Sequence, residues 1–271
     1  AALYERVRSH AESLESVVAR RTSELAEALI RAQSADRLKT QFVSDVSHEL
    51  RTPLSNIRLY LDLLRKGQKD RFDDYMRTLN RETNRLVNLI EDLLAISRLD
   101  AGTVTPHPTS FNLNVLARGL VEDRRRLFGD RDLTLGLSLQ SDLPNVVADE
   151  QMISQVIANL MTNALNYTPA GGSVTLITRN LTKDGGKWVT LAVRDTGLGI
   201  PEKEREQVFE RFFRGETSRK MGTPGTGLGL SICKEILLRH KGTVTLESEE
   251  QKGSTFTIWL PSSSTQVEKA T

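Results

Sequence analysis

The sequence predicts an α+β chain of several domains. A helical N-terminal part ends in a dimerising hairpin, and an α/β sandwich with helices on one face of a mixed sheet follows. Three observations lead there. Up to Gly102 the chain holds one proline, Pro53, and two glycines, Gly67 and Gly102, whereas both residue types are frequent afterwards. Glycine and proline punctuate regular structure, so the change marks a change of architecture. Before it, apolar residues recur at spacings of three and four; after it, short alternating runs are separated by helical ones. The 271 residues suggest about two domains of roughly 150 residues each.

Tyr4, Val7, Ala11, Leu14, Val18, Leu25, Ala28, Ala32 and Ala35 follow heptad spacing and predict a signalling coiled coil over residues 1–39. Arg21 falls on the seam and weakens it, and strict continuation would bury Lys39 where Leu38 fits better, so the register breaks there. So narrow a stripe asks for a second copy; an amphipathic helix in a monomer is the alternative. Phe42, Val46, Leu50, Leu54, Ile57, Leu61 and Leu64 form the next stripe, and Phe72, Met76, Leu79, Leu86, Ile90 and Leu93 the one after. Lys66 to Asp70 break the pattern between them, giving a helical hairpin over residues 40–102. One hairpin buries little, whereas two make a four-helix bundle, so a homodimer follows.

Residues 103–110, with Pro106 and Pro108, read as a hinge, and residues 111–262 as the α/β domain. Helices are expected at Leu113–Phe128, Gln151–Asn166 and Leu228–Arg239. Strands are expected at Leu133–Leu139, Val174–Asn180, Lys187–Arg194, Thr243–Glu247 and Ser254–Leu260, with a hairpin turn at Asp184-Gly185-Gly186. Residues 263–271 read as a frayed tail.

Composition narrows the function. Hydrophobic residues are 38% and charged residues 27%, enough for a core. A net charge of +2 makes no case for nucleic-acid binding. The single cysteine, Cys233, rules out an intrachain disulfide and fits a reducing, cytoplasmic compartment. No apolar run approaches the roughly 18 residues of a membrane span, and no signal peptide is visible. A start at Ala1-Ala2, without methionine, suggests a soluble piece of a longer protein.

His48 lies two residues from Val46 and two from Leu50, about 200° around a helix, so it points away from the core. Glu49 adjoins it, Thr52 lies one turn on, and Pro53 removes a backbone donor from the helix interior. A largely neutral, exposed imidazole can act as a nucleophile. The run Phe42-Val43-Ser44-Asp45-Val46-Ser47-His48-Glu49-Leu50-Arg51-Thr52-Pro53-Leu54 closely resembles the phosphoacceptor segment of bacterial two-component sensor histidine kinases.

In the second domain, Asp195-Thr196-Gly197-Leu198-Gly199 follows a strand, and alone it reads equally well as a turn. Gly225-Thr226-Gly227-Leu228-Gly229-Leu230 opens a helix, where backbone N–H groups and the positive helix end favour phosphate. Upstream, Asn159 and Asn163 share one helical face. The ordered set resembles the GHKL-type ATP-binding domain of the same kinases, a fold shared with DNA gyrase and certain chaperones.

That resemblance implies ATP and Mg²⁺. It implies Asn163 on the metal with Asn159 beside it, Asp195 accepting from the adenine amino group, and Tyr167 on the adenine ring. Gly197 and Gly199 would admit the base, and Gly225, Thr226, Gly227, Leu228 and Gly229 would surround the phosphates. Phe209, Phe212 and Phe213 would fasten a mobile lid, with Arg214 on the terminal phosphate. Asn166 stands where the family often has lysine, so either ATP binds more weakly or Arg214 compensates. His48 would carry the phosphoryl group at Nε2, Glu49 would orient the ring and take its proton, and Thr52 would serve a phosphatase reaction. A response regulator is the implied partner, and Leu3 to Arg8 resemble the linker that follows a GAF-type sensor. An ATP-hydrolysing GHKL machine and a non-catalytic nucleotide-sensing dimer are the rival readings.

Overall fold

The computed structural model describes residues 20–22, 25, 26, 29, 33, 40, 43–66, 71–102, 105–183, 185–221, 223 and 225–263. Apart from a few isolated helical positions, the expected coiled coil over 1–39 lies outside the described residues, as does the tail beyond residue 263. The chain divides into two compact units, one ending at Leu79 and the other beginning at Asn80.

The first unit contains helix α1, residues 43–65, and the start of helix α2, Phe72–Asp100. Asp73 and Asp74 in the first turn of α2 suit the positive helix end. Tyr75 and Leu79 are buried, and the Tyr75 ring meets Tyr60 at 5.5 Å between centroids. Pro53 is buried inside α1, while Leu54 and Leu61 of the predicted stripe are exposed. On α2 the apolar residues buried within this chain are Tyr75, Leu79, Leu89, Ile96 and Leu99, whereas Phe72, Met76 and Ile90 are exposed. A bundle helix carries a stripe wide enough to face several neighbours, and a single chain covers only part of it.

The second unit holds a five-stranded sheet in the order β2-β4-β5-β7-β6. Its strands are β2 Thr134–Ser138, β4 Ser173–Lys183, β5 Gly186–Asp195, β6 Thr243–Glu249 and β7 Gly253–Pro261. β2 and β4 run parallel and the other neighbours antiparallel. Helices α3 (Leu113–Gly129), α4 (Glu150–Tyr167) and α6 (Gly229–Arg239) cover one face, with α4 packed between α3 and α6. Strand alternation delivers Val174 and Leu176 from β4, and Phe256, Ile258 and Leu260 from β7, to the core under those helices. Asp149 caps α4 by accepting from the N–H groups of Gln151 and Met152, both at 3.1 Å.

One sheet was not anticipated. β1, Thr109–Phe111, pairs antiparallel with β3, Val146–Ala148. The His107 N–H also donates to Asp149 Oδ2 at 2.9 Å. Three-residue strands are too short to register as a period, and Pro106 and Pro108 direct the reading toward a linker.

Candidate functional site

α1 presents the first set of residues. His48 is exposed between half-buried Val46 and Leu50, as its spacing requires. Glu49 is half-buried and Thr52 exposed. Thr52 Oγ1 donates to the His48 carbonyl at 3.3 Å, one turn back. Pro53 has no N–H to offer the Glu49 carbonyl, which loosens the ladder beside the histidine.

The second set lines a cavity of about 840 Å³ in the unit that begins at Asn80. α4 supplies Asn159, Asn163, Asn166 and Tyr167. The end of β5 and the following turn supply Asp195 and Gly199. The opposite side is built from Arg214 and from Gly225, Thr226, Gly227 and Gly229, leading into α6.

Asp195 is buried, and its Oδ1 accepts the N–H groups of Gly197 at 2.8 Å and Ser254 at 3.2 Å. Oδ2 is the oxygen left for a further donor in the cavity. Burial pushes this carboxyl above the usual carboxylate range, and the two backbone donors pull it partly back.

Gly197 does not line the cavity. A Cβ there would lie 2.4 Å from the Tyr167 carbonyl oxygen. Gly199 has φ +66°, and its Cβ would lie 1.9 Å from the Glu249 carbonyl oxygen. The close approach at both glycines is to this chain's own backbone. Gly199→Ala is therefore expected to destabilise the domain by about 2–4 kcal/mol, read as a lower urea midpoint. A midpoint equal to that of the native chain would show that the turn tolerates a Cβ.

Several groups are already engaged. The Tyr167 hydroxyl lies 2.8 Å from Ser218 Oγ on the short helix α5, Glu216–Met221, so the α4 tyrosine is tied to the segment that resembles a lid. The Arg214 guanidinium donates to Ser218 Oγ and to the Thr223 carbonyl, inside that same segment. Phe209 stacks edge-on against Phe256 at 6.3 Å, fastening the start of the segment to β7. The Leu228 side chain is fully buried in the core, and its N–H donates to Thr226 Oγ1 at 3.2 Å. Asn159 contributes a hydrogen bond to Cys233, whose complete burial pushes the thiol up to about 12.

One wall of the cavity lies outside the motifs of the sequence. Arg81, Asn84, Arg85, Asn88, Glu91 and Asp92 of α2 also line the cavity. Their spacing of three and four was visible, but polar residues at that spacing read as the solvated side of a hairpin. Among the described residues, no group of three or more His, Cys, Asp or Glu side chains could hold a metal by itself. One amide oxygen, such as that of Asn163, suits Mg²⁺ when phosphate oxygens and waters complete the shell.

Residues 38–102 match the His Kinase A (phospho-acceptor) domain. Residues 148–264 match the histidine kinase-, DNA gyrase B-, and HSP90-like ATPase family. The chain is 35% identical over 268 residues to the circadian input-output histidine kinase CikA of Synechococcus elongatus, covering 96% of this chain and 35% of that protein. It is 35% identical over 232 residues to the sensor histidine kinase WalK of Bacillus subtilis, covering 84% and 38%. Full-length ShkA, solved in complex with AMPPNP, superposes with a TM-score of 0.60 at 28% identity, over 80% of this chain and 44% of that one. The chain thus spans little more than a third of either curated relative.

Proposed function

We propose that this chain, which belongs to the bacterial two-component sensor histidine kinases, moves the γ-phosphoryl group of ATP onto His48 and from there to an aspartate of a response regulator. The observation that carries this is the pairing of an exposed His48 on α1 with a separate cavity that gathers Asn163, Asp195 and the Gly225–Gly229 turn. One buried carboxylate and a glycine-rich helix start, facing each other across the cavity lining, suit a purine nucleotide.

In the first step Nε2 of His48 attacks the γ-phosphorus. The bond from that phosphorus to the β–γ bridging oxygen breaks, and ADP leaves. The ring proton passes to Glu49, the adjacent carboxylate. Such chemistry depends mainly on positioning and charge. Asn163, aided by Asn159, would hold Mg²⁺, which supplies charge neutralisation on the phosphates when bound. Asp195 Oδ2 would accept from the adenine amino group and so select adenine over guanine. Arg214, on the cavity wall, would contact the terminal phosphate, and its bonds to Ser218 and Thr223 would order the lid around it.

The unit would work as a homodimer. Exposed Leu54 and Leu61 of α1, with Phe72 and Met76 at the start of α2, supply apolar surface that a second copy would cover in a four-helix bundle. Upstream, a coiled coil would connect the hairpin to a sensor of the GAF type. No described helix is long and apolar enough to cross a membrane. The kinase reading itself, which needs ATP and a response regulator, would place this region in the cytoplasm. Thr52 would position a water for dephosphorylating the regulator.

Incubation with γ-labelled ATP and Mg²⁺ tests the reading. The protein should acquire label that acid releases and base leaves in place, as a phosphohistidine does. Phosphate release without labelled protein would favour an ATP-hydrolysing machine. Nucleotide binding with neither outcome would favour a non-catalytic sensing module.

A further inference from the structure

A carboxyl group already stands beside the glycine turn of the cavity. Asp92 on α2 lines the cavity, and its Oδ2 accepts the Thr226 hydroxyl at 2.7 Å. Thr226 Oγ1 in turn accepts the Leu228 N–H at 3.2 Å. Leu228 is the N-cap of α6 and receives no cap from its own side chain. Through Thr226 the carboxylate therefore stands at the positive end of an 11-residue helix, between the glycines where phosphate is best held. Glu91 adds a second carboxylate to the same wall.

Two further residues, Arg211 and Arg239, hold the C-terminal end of α2. The Arg211 guanidinium donates to both oxygens of Asp100, at 2.7 and 2.8 Å, a paired geometry that fixes orientation as well as distance. Arg239 at the end of α6 donates to the Leu99 carbonyl. Arg211 and Thr226 flank the segment that carries Arg214, α5 and Thr223. α2 thus grips both ends of this segment and the far end of α6.

We propose that Asp92 is a resident competitor of nucleotide phosphate: the docking of α2 through Asp92 and the binding of a nucleoside triphosphate exclude one another. The inference rests on the reading of this cavity as the nucleotide site. A hydroxyl has one hydrogen to donate, so Thr226 serves either the carboxylate or a phosphate oxygen. A carboxylate beside the glycine turn also repels the incoming phosphates, most strongly in a half-buried site. Burial has already raised the Asp92 carboxyl above its ordinary range, so the residue carries a desolvation cost that the Thr226 bond only partly offsets. The coupling is reciprocal. A pull on α2 raises nucleotide affinity, and nucleotide loosens α2, the helix that leads back to the hairpin bearing His48.

Calorimetric titration of the whole chain with AMPPNP, with and without Mg²⁺, decides the matter. Asp92→Asn should bind AMPPNP about tenfold tighter than the native chain, with the larger gain in the absence of Mg²⁺. Arg211→Ala leaves the cavity charges untouched but releases the Asp100 tie, and should bind about threefold tighter. Native affinity in both variants, or weaker binding by Asp92→Asn, would overturn the latch while leaving the nucleotide site in place. Absence of binding in every protein, the native chain included, would overturn the nucleotide reading and this inference with it.

Discussion

His48→Ala is expected to abolish labelling from γ-labelled ATP, a fall on the order of 10³-fold or more, because no other group is offered as the acceptor. The side chain is exposed, so the substitution should change stability by no more than about 0.5 kcal/mol. The cavity is built from residues Arg81 onward, so AMPPNP affinity should stay within about twofold of the native value. Acid-labile label that persists in His48→Ala would move the acceptor elsewhere. Thr52→Ala provides the companion measurement. Its hydroxyl bonds only to the His48 carbonyl among the described contacts, so its loss should spare labelling and reduce the decay of phosphorylated regulator. A similar modest loss in both assays would mean that the hydroxyl serves the helix backbone alone.

Asp195→Asn should weaken ATP binding by about 10- to 100-fold, since an amide N–H₂ then faces the adenine amino group and one of two donors is left unpaired. The variant's amide oxygen can still accept from Gly197 and Ser254, so the turn should hold. The sign of the stability change separates binding from folding. Burial raises the Asp195 carboxyl above its unfolded value. The folded chain therefore holds this proton more tightly, and the group's contribution to stability falls as pH rises through the ordinary carboxylate range toward the raised value. Above that window the ionised residue is a net cost, which a neutral amide removes. Thermal melts at neutral pH should thus give Asp195→Asn a Tm equal to or above the native one. Lost binding with a Tm several degrees lower would assign Asp195 a structural role instead.

Much of this organisation is carried by local pattern. The hairpin helices follow from apolar residues at helical spacing around Pro53 and His48. The α/β elements follow from alternation in runs such as Val174–Asn180 and Ser254–Leu260. His48 could be placed on the exposed side of α1 because two residues along a helix is nearly half a turn of its face. The asparagines of α4 and the glycines before α6 were legible as a set because each motif is short and chemically distinctive.

Other features depend on partners far away in the chain. β1 and β3 are each three residues long and exist as strands only through one another. That a Cβ at Gly197 or Gly199 would meet the carbonyl of Tyr167 or Glu249 is visible only in the tertiary structure. The bonds from the Arg214 guanidinium to Ser218 and Thr223 likewise had no counterpart in the sequence pattern. The spacing of the wall from Arg81 to Asp92 reads only as a solvated helix side, and the bond from Thr226 to Asp92 across 134 positions of sequence has no local signature. Backbone periodicity is decided within a turn or two, by sterics and by the side of an element that must leave water. A hydrogen bond between distant side chains is decided only when packing brings one donor to one acceptor, and that pairing belongs to the tertiary structure alone.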